Sequence, residues 1–407
     1  MVVEYRNMRE TMKTEETDIL VIGAGPAGLI AAREAATRRA DVVVLEEHEE
    51  IGKPCHCAGL LSLKGLERLG APADGAYVQN KVKGARFFSP SGLKFTVEKD
   101  EPVACVIDRS IFDRFLAQKT AEAGARISLN VQAKSIELGE KDTAIQSENK
   151  KFRAKMVIDA EGASSRILKD TGLKPINHDS LVSGIQCDLE NVGVDPEYVE
   201  VHFGNRTAPR FFAWVIPLSE NEARVGLGCK GDSPKERLDE FVRRRFGIEK
   251  NLGREDIRSG LIITGGPIDR TFSDRFIVVG DAAGQVKPTT GGGVILGGLC
   301  ASIAGRIAAE AVDCGDCATS FLGRYETLWK DELGKDFRSM LLARKVVNRL
   351  SDKAMDKLFN AVIEENLQGI FSAEGDIDFQ STVILKMLKK KEILGVLPSF
   401  LRAIIPF

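Results

Sequence analysis

The sequence predicts an α/β protein with three parts. These are a doubly wound dinucleotide-binding domain, a second domain built on an antiparallel sheet, and a helical C-terminal region. Three observations carry this. A strand, glycine turn, helix and strand run from Thr17 to Glu46. A second apolar strand ends in Gly280-Asp281, about 250 residues later, and leads into a helix rich in small residues. Between them lies a stretch of alternating, β-branched segments.

The first unit is the most informative. Asp18–Ile22 is an apolar run of the kind found in buried parallel strands. It breaks at Gly23-Ala-Gly25-Pro-Ala27-Gly28, and Leu29–Thr37 then reads as an alanine-rich helix. A second run, Asp41–Leu45, ends at Glu46. In such a Rossmann-like unit Gly23 permits the tight turn and Gly25 lets the backbone approach a pyrophosphate. Gly28 lets the helix pack close to the strand. The helix N-terminus offers free N–H groups to phosphate. Glu46 lies 18 residues past Gly28, where an acid can bond a ribose diol. An acid there disfavours a 2′-phosphate, so FAD or NAD is preferred to NADP.

The second unit distinguishes these two. Phe276-Ile-Val-Val-Gly280-Asp281-Ala-Ala-Gly284 is a strand ending in Gly-Asp. It is followed by Pro288, Thr289-Thr-Gly291-Gly292-Gly293 and a helix over Val294–Val312. This order resembles that of FAD flavoproteins related to the aromatic hydroxylases. The resemblance implies that Asp281 holds the sugar chain of FAD. It implies that the Gly291–Gly293 turn lies against the isoalloxazine ring, where glycine allows close approach. Two further segments agree. Val157-Ile-Asp159-Ala-Glu-Gly162 resembles the central Asp-Gly motif of these proteins, with alanine after Asp159. Ile107-Asp108-Arg109-Ser-Ile-Phe112-Asp113 resembles their arginine-bearing helix start, with Arg109 near the cofactor. The resemblance covers roughly residues 17 to 315.

Between Asp159 and Asp281 the segments Val182–Asp188, Tyr198–Phe203, Phe211–Pro217 and Glu222–Cys229 read as an antiparallel sheet that roofs the flavin. Phe212-Ala-Trp214-Val-Ile-Pro217, followed by Gly226-Leu-Gly228, resembles a signature of geranylgeranyl reductases. These include the archaeal digeranylgeranylglycerophospholipid reductases. Phe212 stands where tyrosine is usual. The resemblance implies FAD-dependent saturation of isoprenoid C=C bonds in archaeal membrane ether lipids. Phe212, Trp214, Pro217, Gly226 and Gly228 are then the substrate-binding residues. Ile51-Gly52-Lys53-Pro54-Cys55-His56-Cys57-Ala58 resembles the segment that carries a cysteine beside alanine in these enzymes. Cys57 is the matching residue, and His56 replaces the usual arginine. A thiol there would supply the proton that accompanies hydride transfer. The alternative for Cys57 is a small buried hydrophobe.

The rest of the chain bounds the reading. A net charge of −2 argues against nucleic acid as a partner. The expected domain boundaries are 14–80, 101–175 and 262–315 for the FAD-binding domain, 81–100 and 176–261 for the substrate domain, and 316–407 for the helical region. Met1–Thr17 lacks the apolar core of a secretory signal. No window approaches eighteen uninterrupted apolar residues, so no transmembrane helix is expected. The eight cysteines are scattered, and a cytoplasmic chain is expected. No metal site is expected. Cys314 and Cys317 leave a redox disulfide open. From Phe321 onward a helical pattern is expected, for example over Ser339–Leu350 and Thr382–Leu388. The stretch Ile384–Phe407 sets lysines beside an apolar face, suited either to peripheral contact with the inner face of a membrane or to packing on the body. Only one GxGxxG turn is present, which leaves the electron donor open among NAD(P)H, ferredoxin and others. The alternatives to a reductase are a flavin monooxygenase or halogenase of the same fold, and an electron-transfer flavoprotein serving a membrane quinone.

Overall fold

The structure is a computed structural model that describes residues 14–231, 233–249, 253 and 257–397. Its first sheet has a parallel centre. Phe276–Val278, Lys151–Asp159, Thr14–Ile22, Val42–Leu45 and Arg126–Ser128 lie side by side in that order. Val42–Leu45 is buried along its whole length, as a strand covered on both faces must be. The register aligns the carboxyl ends: Ile22 pairs with both Leu45 and Asp159, and Asp159 pairs with Val278. The turns that follow these strands therefore converge on one edge, where open α/β sheets bind their ligands. That alignment brings Gly23, Glu46, Ala160 and Gly280 together.

The helix Pro26–Ala36 covers this sheet and packs on the helix Val294–Cys314. Small residues let them approach: a Cβ on Gly305 would stand 2.2 Å from the Ala31 carbonyl oxygen. Val294–Cys314 runs two residues past its expected end, to a Gly315 in the left-handed region. Its length and composition would suffice to cross a membrane, but 72% of its most apolar window is buried inside the fold. It is the central helix of the core.

The second sheet has seven strands in the order Arg258–Ile263, Leu181–Glu190, Glu222–Cys229, Ala213–Pro217, Tyr198–His202, Gly84–Phe88 and Lys94–Glu98. All neighbours are antiparallel except Tyr198–His202 and Gly84–Phe88. One expected strand starts late. Phe211 and Phe212 precede it, because the Phe211 N–H bonds back to the Ala208 carbonyl in a turn. A third sheet, Leu60–Ser62, Ala104–Ile107 and Val78–Val82, lies between the two.

The C-terminal region is helical as expected, with shifted bounds. Ser339–Leu350 falls at the end of one 29-residue helix, Thr319–Val347, which turns out of α geometry before Leu350. Leu322, Tyr325, Trp329, Leu333, Phe337 and Met340 bury one face of it. The helix Ser381–Leu388 begins one residue earlier than expected. In the stretch from Ile384 onward, Met387, Leu388, Ile393 and Leu397 are buried, while Lys386, Lys389 and Lys391 are exposed. The apolar face of the described part thus packs on the body. Phe400, Leu401, Ile404, Ile405 and Phe407 lie outside the described residues.

Candidate functional site

A cavity of about 1020 Å³ runs from the glycine turn, under the seven-stranded sheet, to the C-terminal helices. At its first end, Gly23 has φ +99°, and a Cβ there would stand 2.4 Å from the Ala160 carbonyl oxygen. Gly28 is tighter still, because its Cβ would meet the Gly23 carbonyl oxygen at 1.9 Å. Gly25 has nothing within 4 Å of its Cβ position and faces open space. Ala27 lines the same wall, and its methyl backs Gly280. Glu46 braces this turn. Its Oε2 accepts the Ala24 N–H at 2.9 Å, and its Oε1 lies 2.5 Å from His48 Nδ1.

Arg109 and Asp281 lie further along the wall. The Asp108 side chain caps the helix Arg109–Glu122 by accepting from the Ser110 and Ile111 N–H groups. The Arg109 guanidinium forks onto Asp113 with two bonds of 3.0 Å. Burial pushes the Asp281 carboxyl up, and the Arg109 charge opposes that shift. The Asp281 carboxylate sits against Gly293: a Cβ there would be 2.6 Å from Asp281 Oδ1. Gly293 is the N-cap of Val294–Cys314 and supplies no side-chain cap, so the N–H groups of that helix end open towards the cavity. Gly291 and Gly292 complete the turn.

Sequence reasoning missed what holds this turn. Lys287, 8% exposed at its side chain, donates to Asp378 Oδ1 at 2.7 Å and to the Ile377 carbonyl at 3.2 Å. The Ser62 hydroxyl donates to Asp378 Oδ2, and Thr289 Oγ1 donates to Gln380. The C-terminal region is thereby strapped to the glycine turn.

The Cys55–Cys57 loop is fastened to the second sheet. Gln186 Nε2 donates to the carbonyls of His56 and Cys57 at 3.2 and 3.0 Å. Arg224 donates to the Ala58 carbonyl at 3.1 Å while forked onto Asp188. Burial raises the Cys55 thiol against opposing contributions that include the Arg109 and Arg224 charges. Burial lowers His56, helped by the His48 and Arg258 charges, which favours the neutral imidazole. Cys55, His56 and Cys57 all line the cavity.

The far end is mostly apolar. Phe87, Val201, Phe203, Phe212, Trp214, Phe371 and Ile384 line it. Phe211 stacks on Phe212 at 4.3 Å. The other three residues expected to bind substrate do not face the cavity. Gly226 and Gly228 are covered by rings: their Cβ positions lie 2.5 Å from Trp214 Cζ2 and from Phe211 Cδ1. Pro217 is buried at the strand end, its carbonyl accepting from Asn80. The glycines make room for the aromatic rings that cross over them.

The residue set fits a flavin dinucleotide. A long cavity joins a glycine cradle with one open Cβ position, a free helix N-terminus and an apolar far end. Comparison with known proteins agrees. Residues 16–298 match the FAD binding domain family. A digeranylgeranylglycerophospholipid reductase of Methanocaldococcus jannaschii is 35% identical over 87% of this chain and 92% of its own length.

The chain belongs to the digeranylgeranylglycerophospholipid reductase family.

A second relative with that name, from Methanopyrus kandleri, is 34% identical over 91% of this chain and 96% of its own. Among solved structures, a geranylgeranyl bacteriochlorophyll reductase-like protein of Thermoplasma acidophilum superposes with a TM-score of 0.84. It has 28% identity and covers 94% of this chain and 99% of its own. The p-nitrophenol 4-monooxygenase of Pseudomonas putida superposes at 0.68 with 19% identity, which shows a shared fold alone. This member of the reductase family is a flavin-dependent oxidoreductase, and FAD is its cofactor.

Proposed function

We propose that the protein saturates the C=C bonds of geranylgeranyl chains in archaeal membrane ether lipids. The observation that carries this is the continuity of one cavity, from the glycine cradle to an end lined mainly by aromatic and apolar side chains. Gly23, Gly25, Ala27, Gly28 and Glu46 would hold the adenosine half of FAD. Arg109, Asp281 and the Gly291–Gly293 turn would hold the rest. Bound FAD in its reduced form supplies the hydride equivalent.

The chain's own residues do the remainder. Phe212 and Trp214 hold the alkene in a dry channel, which keeps water from the reacting carbons. Cys57 donates a proton to the carbon that does not receive hydride, and solvent reprotonates the thiolate. One hydride and one proton add across each double bond. Gln186 and Arg224 fix the cysteine loop against the sheet, so the thiol is positioned rather than free. A lipid substrate also implies work at a membrane surface.

The test is direct. The holoenzyme is reduced anaerobically and given a geranylgeranyl ether phospholipid in detergent, and the lipid is weighed by mass spectrometry. A gain of two hydrogens per double bond, with flavin reoxidised, is expected. An unchanged lipid beside a flavin that reoxidises with oxygen or quinone overturns the reading in favour of a monooxygenase or an electron carrier.

A further inference from the structure

Among the described residues, the wall of the cavity contains one buried cation with no counter-charge. Arg344 stands in the last turns of the helix Thr319–Val347 and is 6% exposed. Its guanidinium lies 4.5 Å over the Phe211 ring. Nη2 donates to the carbonyl of Arg210, a residue at φ +61°. Nε has no hydrogen-bond partner among the described residues. The other arginines buried beside the cavity differ, since Arg109 is forked onto Asp113 and Arg224 onto Asp188. Burial alone acts on Arg344, pulling it down to about 10, and no neighbouring charge offsets it. It is still a cation at neutral pH.

A buried charge left unpaired costs several kcal/mol. A guanidinium also presents a planar fork that matches phosphate. Ala343, Arg344 and Val347 face the cavity together with Phe203, Phe212 and Ile384. The group that meets this cation therefore arrives through apolar surroundings, as the single charge of an amphiphile does. Phe211 separates Arg344 from the glycine turn: its ring lies 3.8 Å from the Cβ position of Gly291.

We propose that Arg344 is a phosphate-binding site in the cavity wall, one that selects substrates bearing a phosphate on the prenylated glycerol. This rests on the reductase reading above. The same chemistry could be met by free phosphate, and the experiment separates the two sources.

The reduced holoenzyme is assayed with two matched lipids, the digeranylgeranylglyceryl phosphate and the same ether ending in a free hydroxyl. Inorganic phosphate is tested separately for its effect on Tm and turnover. KM is expected to be about tenfold lower or more for the phosphate lipid, the scale of a charge-assisted bond to a desolvated partner. R344M should lose that preference and R344K should keep part of it, with the lysine variant showing that the fold survives. Inorganic phosphate should compete with the phosphate lipid in the wild type and not in R344M. A Tm rise with inorganic phosphate that needs Arg344, without discrimination between the lipids, assigns the site to free phosphate and overturns the headgroup role. Equal KM values and no Arg344-dependent response to phosphate overturn the site altogether. If neither lipid reoxidises the flavin, the reductase reading fails instead, and the Tm response still decides the site.

Discussion

Trp214 and Gly226 are cross-strand partners, and the indole fills the place where a side chain at 226 would stand. The same arrangement repeats two residues on, where Phe211 covers Gly228. Aromatic rings on a sheet need such gaps to lie flat over the backbone. Gly226→Ala should push the indole out of the wall and cost about 1–3 kcal/mol through overpacking. The chain has two tryptophans, and Trp329 is buried in the core with its own hydrogen bond to Thr271. A shift of Trp214 emission with Trp329 unmoved, together with a raised KM for the lipid, is the expected result. An unchanged spectrum would show that the glycine is not needed for the ring.

Gly28→Ala tests the cradle. The new methyl would collide with the Gly23 carbonyl, which is backbone and cannot swing away. The variant is expected to purify without yellow colour, while Gly25→Ala, at an open position, keeps a folded chain and weakens FAD by crowding the phosphates. Flavin absorbance per chain reads both.

Lys287 and Asp378 form a buried pair at 2.7 Å. Lys287→Met strands a carboxylate that is 1% exposed at its side chain, and breaking such a pair costs about 3–5 kcal/mol. Urea unfolding of K287M, D378N and the double variant should show the double losing less than the sum. Faster FAD release from K287M would tie the strap to the glycine turn.

Glu200 sets an acid limit. Burial disfavours its charge, but hydrogen bonds and charge from Arg245 and His202 outweigh that and hold it down to about 2. A depressed carboxyl stabilises the fold above its unfolded value near 4.5, and that contribution disappears as pH falls towards 2. The shift corresponds to about 3 kcal/mol. Glu200→Gln should therefore lower stability at pH 7 and flatten the acid limb between those values; parallel wild-type and variant curves would disprove it.

Cys57→Ser removes the proposed proton donor. A positioned general acid contributes about 10²- to 10⁴-fold, so kcat for alkene reduction should fall by at least about a hundredfold with KM little changed. Flavin reduction itself should proceed at the wild-type rate. Full turnover in the serine variant would return Cys57 to a packing role.

The dinucleotide turn, the order of its motifs and four of the seven strands of the second sheet were legible in the sequence, because each is written in local pattern. A positive φ at Gly23, a close approach at Gly28 and the alternation of Leu181–Glu190 all constrain residue type at fixed spacing. The aromatic signature was legible too, but its meaning was only half visible. Phe212 and Trp214 reach the cavity, whereas Pro217, Gly226 and Gly228 do not, because a glycine's purpose depends on which ring crosses to it from the next strand.

By itself the sequence determined that strands, turns and a small-residue helix recur in the order a flavin site needs. Only the tertiary structure decided what surrounds that site. Ser62 meets Asp378 across 316 residues and Lys287 meets it across 91, while Gln186 reaches back to Cys57 across 129. Such pairs leave no periodic trace, since chain folding and not spacing brings them together. Arg344 shows the same limit from the other side. On a charged helix it reads as one more solvated cation, and only packing against Phe211 reveals a buried charge with no counter-charge among the described residues.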